Sequence, residues 1–167
     1  MAGMDNTTAE RPTFVTHLEC SMTGERYEAD VLQGLSREGR PLLVRYDLEG
    51  LANSLSREDL RRRPADFWRY REFLPVRRAR NIVTLGEVTT PLQPASRVQA
   101  LLGGGPVVVK DEGRLPTGSF KARGLALAVS MAKELGLDKL AIPTNGNAGA
   151  AMAAYGRRAG MEIFVFC

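Results

Sequence analysis

Lys121 closes a segment, Gly113-Arg-Leu-Pro-Thr-Gly118-Ser119-Phe120-Lys121, whose residue types suit either a phosphate or an aldehyde. Gly113 and Gly118 have the spacing of the phosphate-cradling G-x-x-x-x-G-K-[ST] loop, but Lys121 stands three positions after Gly118 instead of next to it. A lysine displaced onto the following helix cannot reach over the loop to the phosphates, and Pro116 removes one backbone donor from the cradle. A lysine in the first turn of a helix has another use. The positive end of the helix dipole disfavours its ammonium form and makes the neutral amine more accessible. A neutral amine is what a Schiff base with an aldehyde cofactor requires. Position alone is weak evidence, because most first-turn lysines are merely exposed.

A second loop, Thr144-Asn145-Gly146-Asn147-Ala148-Gly149, sets polar groups beside small residues where a strand passes into a helix. Free backbone amides at such a helix start form a nest for a carboxylate or phosphate. The Asn147 side chain adds a donor for a phenolate or carbonyl oxygen. An Asn-Gly turn with a capped helix is the plainer reading of the same residues.

These loops need elements to position them. Val107-Val108-Val109, after Gly103-Gly104-Gly105-Pro106, reads as a buried parallel strand. The apolar stripe Phe120, Leu127, Ala128, Met131 and Leu135 predicts a helix over 119–135, with Ser119 as N-cap and Gly136 at C′. Residues 140–143 read as a second strand, 148–158 as a small-residue helix ending near Gly160, and 163–166 as a third strand. The β-α-β-α-β order implies a doubly wound half-sheet, in which ligands sit at the carboxyl ends of the strands. The loops 111–120 and 143–147 meet there.

Upstream, short strands are expected around Phe14–Val15, over Tyr27–Val31 and over Leu42–Tyr46, separated by turns at Thr23-Gly24 and Gly39-Arg40-Pro41. Residues 47–80 read as helical or irregular, with Pro64 suited to a helix start. The net charge of +4 is local, because residues 57–80 hold nine arginines against four acids. Such a run can bind a polyanion. The preferred reading is the solvated face around core anchors Phe67, Tyr70 and Leu74, spaced i, i+3, i+7. The run lacks the Gly and aromatic interleaving of RNA-recognition segments, and no zinc-finger spacing accompanies it.

The 167 residues are 44% hydrophobic, enough for a core, and contain no apolar run of membrane-spanning length. Met1 to Pro12, with Asp5 and Glu10 and no apolar run, reads as a disordered start and not as a signal or transit peptide, which points to the cytoplasm. Two cysteines, Cys20 and Cys167, make neither a disulfide framework nor a four-thiolate zinc site.

Pro116-Thr-Gly-Ser-Phe-Lys121-Ala-Arg-Gly124, followed by Thr144-Asn-Gly-Asn-Ala-Gly149, resembles the fold-type II pyridoxal-phosphate enzymes. Leu85-Gly-Glu-Val-Thr-Thr-Pro-Leu92 is similar to the segment that precedes the first catalytic strands of threonine synthases. Leu18-Glu-Cys20-Ser-Met-Thr23-Gly24-Glu-Arg-Tyr27 and Gly39-Arg-Pro-Leu-Leu-Val-Arg-Tyr-Asp-Leu48 resemble the N-terminal zinc-ribbon-like segment of those enzymes. The resemblance spans residues 18–167 and implies an α/β fold: a three-layer doubly wound sheet, incomplete here, behind a small N-terminal β module. It divides the chain into a disordered 1–12, a degenerate ribbon over 13–46 without metal, and the N-terminal part of a catalytic region over 47–167. The ribbon counts as degenerate because Thr23 occupies a cysteine position and no cysteine pair lies near Gly39.

Carried over, the resemblance makes Lys121 the residue that bonds to pyridoxal phosphate and later moves protons. Asn147 then bonds the cofactor's 3-oxygen, Phe120 packs beside the cofactor, and Thr144, Asn145, Gly146, Asn147 and Ala148 hold the carboxylate of an amino-acid substrate. The implied reaction is loss of phosphate from O-phosphohomoserine and addition of water to give threonine, by a homodimer that neither spans a membrane nor binds nucleic acid. Ala122 stands where many relatives have Asp, and the chain shows no counterpart of the family's glycine-rich phosphate loop or of its partner for the pyridine nitrogen. The expectation is therefore an N-terminal portion, inactive as it stands. Two alternatives remain open: serine or threonine dehydration on the same scaffold, and a non-catalytic remnant that binds polyanions through the arginine run.

Overall fold

The computed structural model describes residues 10–167. The disordered start expected over 1–12 falls outside the described residues as far as residue 9. Glu10 forms an isolated antiparallel bridge with Arg78, and the Arg11 amide donates to the Arg77 carbonyl at 2.5 Å. Residues 10–12 are thus tied to the protein from Glu10 onward.

Three strands follow, β1 (Val15–Cys20), β2 (Arg26–Tyr27) and β3 (Leu42–Tyr46), in an antiparallel sheet of order β2-β1-β3. A turn closed by the Gly24 amide on the Cys20 carbonyl joins β1 to β2, with Gly24 at φ +75°. The strand expected over Tyr27–Val31 ends at Tyr27. Arg77 draws Asp30 away from the sheet through Nε and Nη2 contacts of 3.0 and 2.6 Å.

Asp47 caps α1 (Leu48–Ser54) by accepting from the Gly50 amide, and a Ser56–Asp59 capping box opens α2 (Arg57–Arg62). Pro64 follows the end of α2 at Arg63 and does not start a helix. The stretch Phe67–Phe73 is a 3₁₀ helix kinked at Tyr70. The tighter winding and the kink shift the inward face, so Trp68, Glu72 and Val76 are buried where Phe67, Tyr70 and Leu74 were expected. Glu72 tolerates burial because Arg63 grips both of its carboxylate oxygens at 2.7 Å.

β4 (Leu92–Pro94), α3 (Ser96–Leu102) and β5 (Val108–Lys110) form a compact return. Here the structure corrects the expected half-sheet. β5 pairs antiparallel with β4 (Pro94↔Val108 through Leu92↔Lys110) and not with the later strands, and Val108 and Val109 are half-exposed. The physical reason is proximity: α3 folds the preceding strand straight back onto β5, and sequential strands pair readily.

The rest is one right-sized β-α-β unit with a helix before it: α4 (Lys121–Glu134), β6 (Lys139–Pro143), α5 (Asn147–Ala159) and β7 (Glu162–Phe166). β6 and β7 are parallel, in register from Lys139↔Glu162 to Pro143↔Phe166. The core lies where α4 and α5 meet, built from Ala122, Ala126, Val129, Ala151, Met152 and Tyr155. Small residues allow this closeness. A Cβ on Gly156 would come within 2.2 Å of Ile163, so glycine lets α5 press on β7. Two buried polar residues are satisfied inside: Tyr155 donates to Glu87, and Ser130 accepts from the Val83 amide at 2.8 Å. Among the described residues the architecture is mixed α/β with sheets of three, two and two strands. Among the described residues, no helix is long and apolar enough to cross a membrane.

Candidate functional site

Lys121 owes its place to a tight arch. Leu115 is buried, and the chain then turns through Thr117 (φ 64°) and Gly118 (φ 69°), two consecutive left-handed residues. Thr117 pays a conformational cost of about 1 kcal/mol or more for adopting that region without being glycine. The helix starts one residue later than expected: Phe120 occupies the cap position, and the Ser119 hydroxyl makes no capping bond. Ser119 is instead buried, its Oγ without a partner among the described residues. The expected N-cap is thereby corrected. Ser119 has extended backbone (φ −156°, ψ 160°), and Ala122 NH bonds its carbonyl, not its side chain.

The arch is braced from the neighbouring turn. Glu112 accepts from Arg123 Nε at 2.7 Å and Nη2 at 3.1 Å, and from the Thr90 hydroxyl. The Arg123 guanidinium, followed by the Thr90 hydroxyl, holds the Glu112 carboxyl down at about 2. This network ties residue 112 to the first turn of α4, two residues from Lys121.

The second loop is ordered by one hydroxyl. Thr144 Oγ1 accepts from the Gly146 and Gly149 amides, both at 3.1 Å, and the Thr144 amide donates to the Phe166 carbonyl at 2.9 Å. Gly149 must be small, since a Cβ there would lie 2.4 Å from Thr144 Cγ2 and 2.8 Å from Val165 Cγ1. With the first amides of α5 so arranged, those of Asn147 and Ala148 have no acceptor among the described residues and remain available at the positive end of the helix.

The two loops converge. Lys121, Pro143, Thr144, Asn145, Gly146, Asn147 and Ala148 line one cavity of about 370 Å³. Phe120 does not line it. Its ring is 60% exposed and lies under the Lys121 ammonium, with Nζ 4.8 Å from the ring centroid. Sequence reasoning missed two supporting residues, Pro143 in the wall and Glu112 as the brace, and one role, Thr144 as the internal cap. Thr144 was legible only as a substrate-holding residue, because the span from its hydroxyl to the Gly149 amide is a property of the folded turn.

The donor set suits pyridoxal phosphate at its aldehyde and ring-oxygen end: one primary amine, the two side-chain amides of Asn145 and Asn147, and two free backbone amides around a single cavity. Among the described residues, no group of three or more His, Cys, Asp or Glu side chains could hold a metal ion. Cys20 is buried, and its thiol donates to the Ser36 hydroxyl at 3.1 Å.

A family model described as pyridoxal-phosphate dependent enzyme matches residues 83–167. The chain is 38% identical over 146 residues to the threonine synthase of Methanocaldococcus jannaschii, covering 87% of this chain and 36% of that protein. It is 37% identical over 150 residues to the threonine synthase of Methanosarcina acetivorans, covering 89% of this chain and 36% of that one. Against the threonine synthase of a Synechocystis species it is 47% identical over 97 residues, 58% of this chain and 25% of the relative. The chain thus spans little more than a third of the length of the first two relatives, corresponding to their N-terminal portion.

Proposed function

The chain belongs to the pyridoxal-phosphate dependent enzyme family, and we propose that it forms the lysine-bearing portion of a threonine synthase-like lyase. The reaction is conversion of O-phosphohomoserine and water to threonine and phosphate. The observation that carries the reading is the shared cavity of Lys121 and the 143–148 loop.

Bound there, pyridoxal phosphate supplies an aldehyde for the Lys121 amine and a conjugated ring that withdraws electrons from the carbon next to the substrate amine. The remaining work falls to the chain. Lys121 Nζ is the base and acid that takes and returns protons at the substrate carbons. The Asn147 side-chain amide donates to the ring oxygen. The free amides of Asn147 and Ala148, together with Asn145 and Gly146, receive the substrate carboxylate at the helix start. Thr144 acts from the wall and from beneath, since its hydroxyl fixes the Gly146 and Gly149 amides and so the shape of the loop. Phe120 stacks under the amine and restricts its swing.

We read residues 13–46 as a ribbon-like β module without metal and 47–167 as the N-terminal part of the catalytic region, acting in a cytoplasmic homodimer when the chain continues. In that reading β6 and β7 are part of a larger doubly wound sheet, and the half-exposed Val165 and Phe166 of β7 are covered by later strands.

The test is substrate choice in a protein that continues this chain to the length of its relatives. Phosphate release from O-phosphohomoserine with equimolar threonine supports the proposal. Keto-acid release from threonine, with no phosphate released from O-phosphohomoserine, assigns the scaffold to dehydration instead.

A further inference from the structure

Only part of the arginine run is free to bind anything. Arg61 and Arg62 pair with Glu58, Arg77 with Asp30, and Arg78 with Glu134, so these four are spent on different sides of the molecule. Three others, Arg63, Arg69 and Arg71, joined by Arg11 from outside the run, converge with Trp68 and Asp66 around a cleft of about 300 Å³.

The charge of that cleft is unbalanced. Asp66 in the wall and Glu72 behind it are the acids that answer four guanidinium groups. Arg63 is fully committed, with both Nη atoms 2.7 Å from Glu72 and Nη1 also donating to the Arg69 carbonyl at 2.6 Å. Arg71 reaches Glu72 only through Nε at 3.4 Å, and the Arg11 side chain has no acceptor among the described residues. Arg69 gives one nitrogen to the Leu60 carbonyl, while its Nε, like Trp68 Nε1, is buried with no acceptor among the described residues. Burial, and then the proximity of Arg71, push the Arg11 guanidinium below its ordinary range, as expected where like charges crowd. Donors in excess of acceptors, concentrated in one concave place, call for an anion.

We propose that this cleft is a binding site for a small phosphate-bearing anion, separate from the cavity at Lys121. Its size admits a phosphate with a small organic body, and Trp68 gives that body an apolar wall. A polymer is disfavoured, because the paired arginines interrupt any continuous basic stripe that could follow a nucleic-acid backbone.

Trp68 is the only tryptophan in the chain, so its fluorescence reports this site directly. The experiment titrates the 167-residue chain with inorganic phosphate at fixed ionic strength, with chloride as the matched control. The expected result is a saturable change with phosphate and none with chloride. It should persist in Lys121→Ala and weaken at least tenfold in the double variant Arg11→Ala/Arg71→Ala. As a check that does not depend on a folded variant, phosphate should shield Arg11 and Arg71 of the unaltered chain from an arginine-modifying dicarbonyl, read by peptide mass. No saturation, an equal response to chloride, a response lost with Lys121, or unshielded arginines overturns the proposal. So does saturation by a single-stranded oligonucleotide where phosphate and a small phosphate monoester give none.

Discussion

Gly149→Ala tests how tightly the loop at Lys121 is built. The added Cβ would sit 2.4 Å from Thr144 Cγ2 and 2.8 Å from Val165 Cγ1, well inside van der Waals contact. Thr144 cannot rotate away cheaply, because its hydroxyl accepts from the Gly146 and Gly149 amides. Overpacking of this kind costs about 1–3 kcal/mol, and each capping bond lost adds about 1 kcal/mol. Against these stands the helix-propensity gain of alanine over glycine, about 1 kcal/mol. With one of the two bonds lost, the net is a loss of about 1–3 kcal/mol, or roughly 2–12 °C in Tm for a chain of this size. The matched control is Gly124→Ala in α4, where a Cβ meets nothing within 4 Å and the propensity gain stands alone. Thermal and urea unfolding of both variants decide the matter. A Gly149→Ala protein as stabilised as Gly124→Ala would show that the loop is not packed as described.

Three further expectations follow from buried and partly buried polar groups. Arg63→Ala leaves Glu72, 7% exposed, without its bidentate partner and should cost about 3–5 kcal/mol in urea unfolding, while Arg61→Ala should cost less than 1 kcal/mol. Tyr155→Phe removes a donor to fully buried Glu87, which keeps only its bonds from Thr84 and Leu85, and should lower stability by about 1–3 kcal/mol. The Glu112 carboxyl ionises at about 2 in the folded protein against 4.5 in the unfolded chain, so its contribution is complete above pH 4.5 and disappears as pH falls toward 2. Arg123→Ala should flatten the fall in Tm across that window, and an unchanged slope would remove the brace from the account.

The C-terminal half was legible because its signals are local. Small residues at helical spacing, Gly136 and Gly160 past the helix ends, and short apolar runs placed α4, β6, α5 and β7 to within two residues. The same locality brought Lys121 and the Thr144–Ala148 loop to one cavity. What failed depends on partners distant in sequence. Val108 and Val109 look like a buried strand, yet pairing with Leu92–Pro94 leaves them half-exposed. Glu72 looks like a surface acid until Arg63, nine residues earlier, closes on it. The anchors of 67–76 were misread because a 3₁₀ helix with a kink does not keep the period of an α-helix. Ser119 has every property of an N-cap, and the arch at Thr117-Gly118 moved the helix start past it.

The central proposal is that Lys121, among the four lysines Lys110, Lys121, Lys133 and Lys139, is the one that receives an aldehyde cofactor, because it lines the cavity of the 143–148 loop. Incubation with pyridoxal phosphate, borohydride reduction and peptide mapping test it most directly. The account predicts a single stable label on the peptide carrying Lys121, lost in Lys121→Ala. A label spread evenly over the four lysines, or one that survives that substitution unchanged, contradicts it.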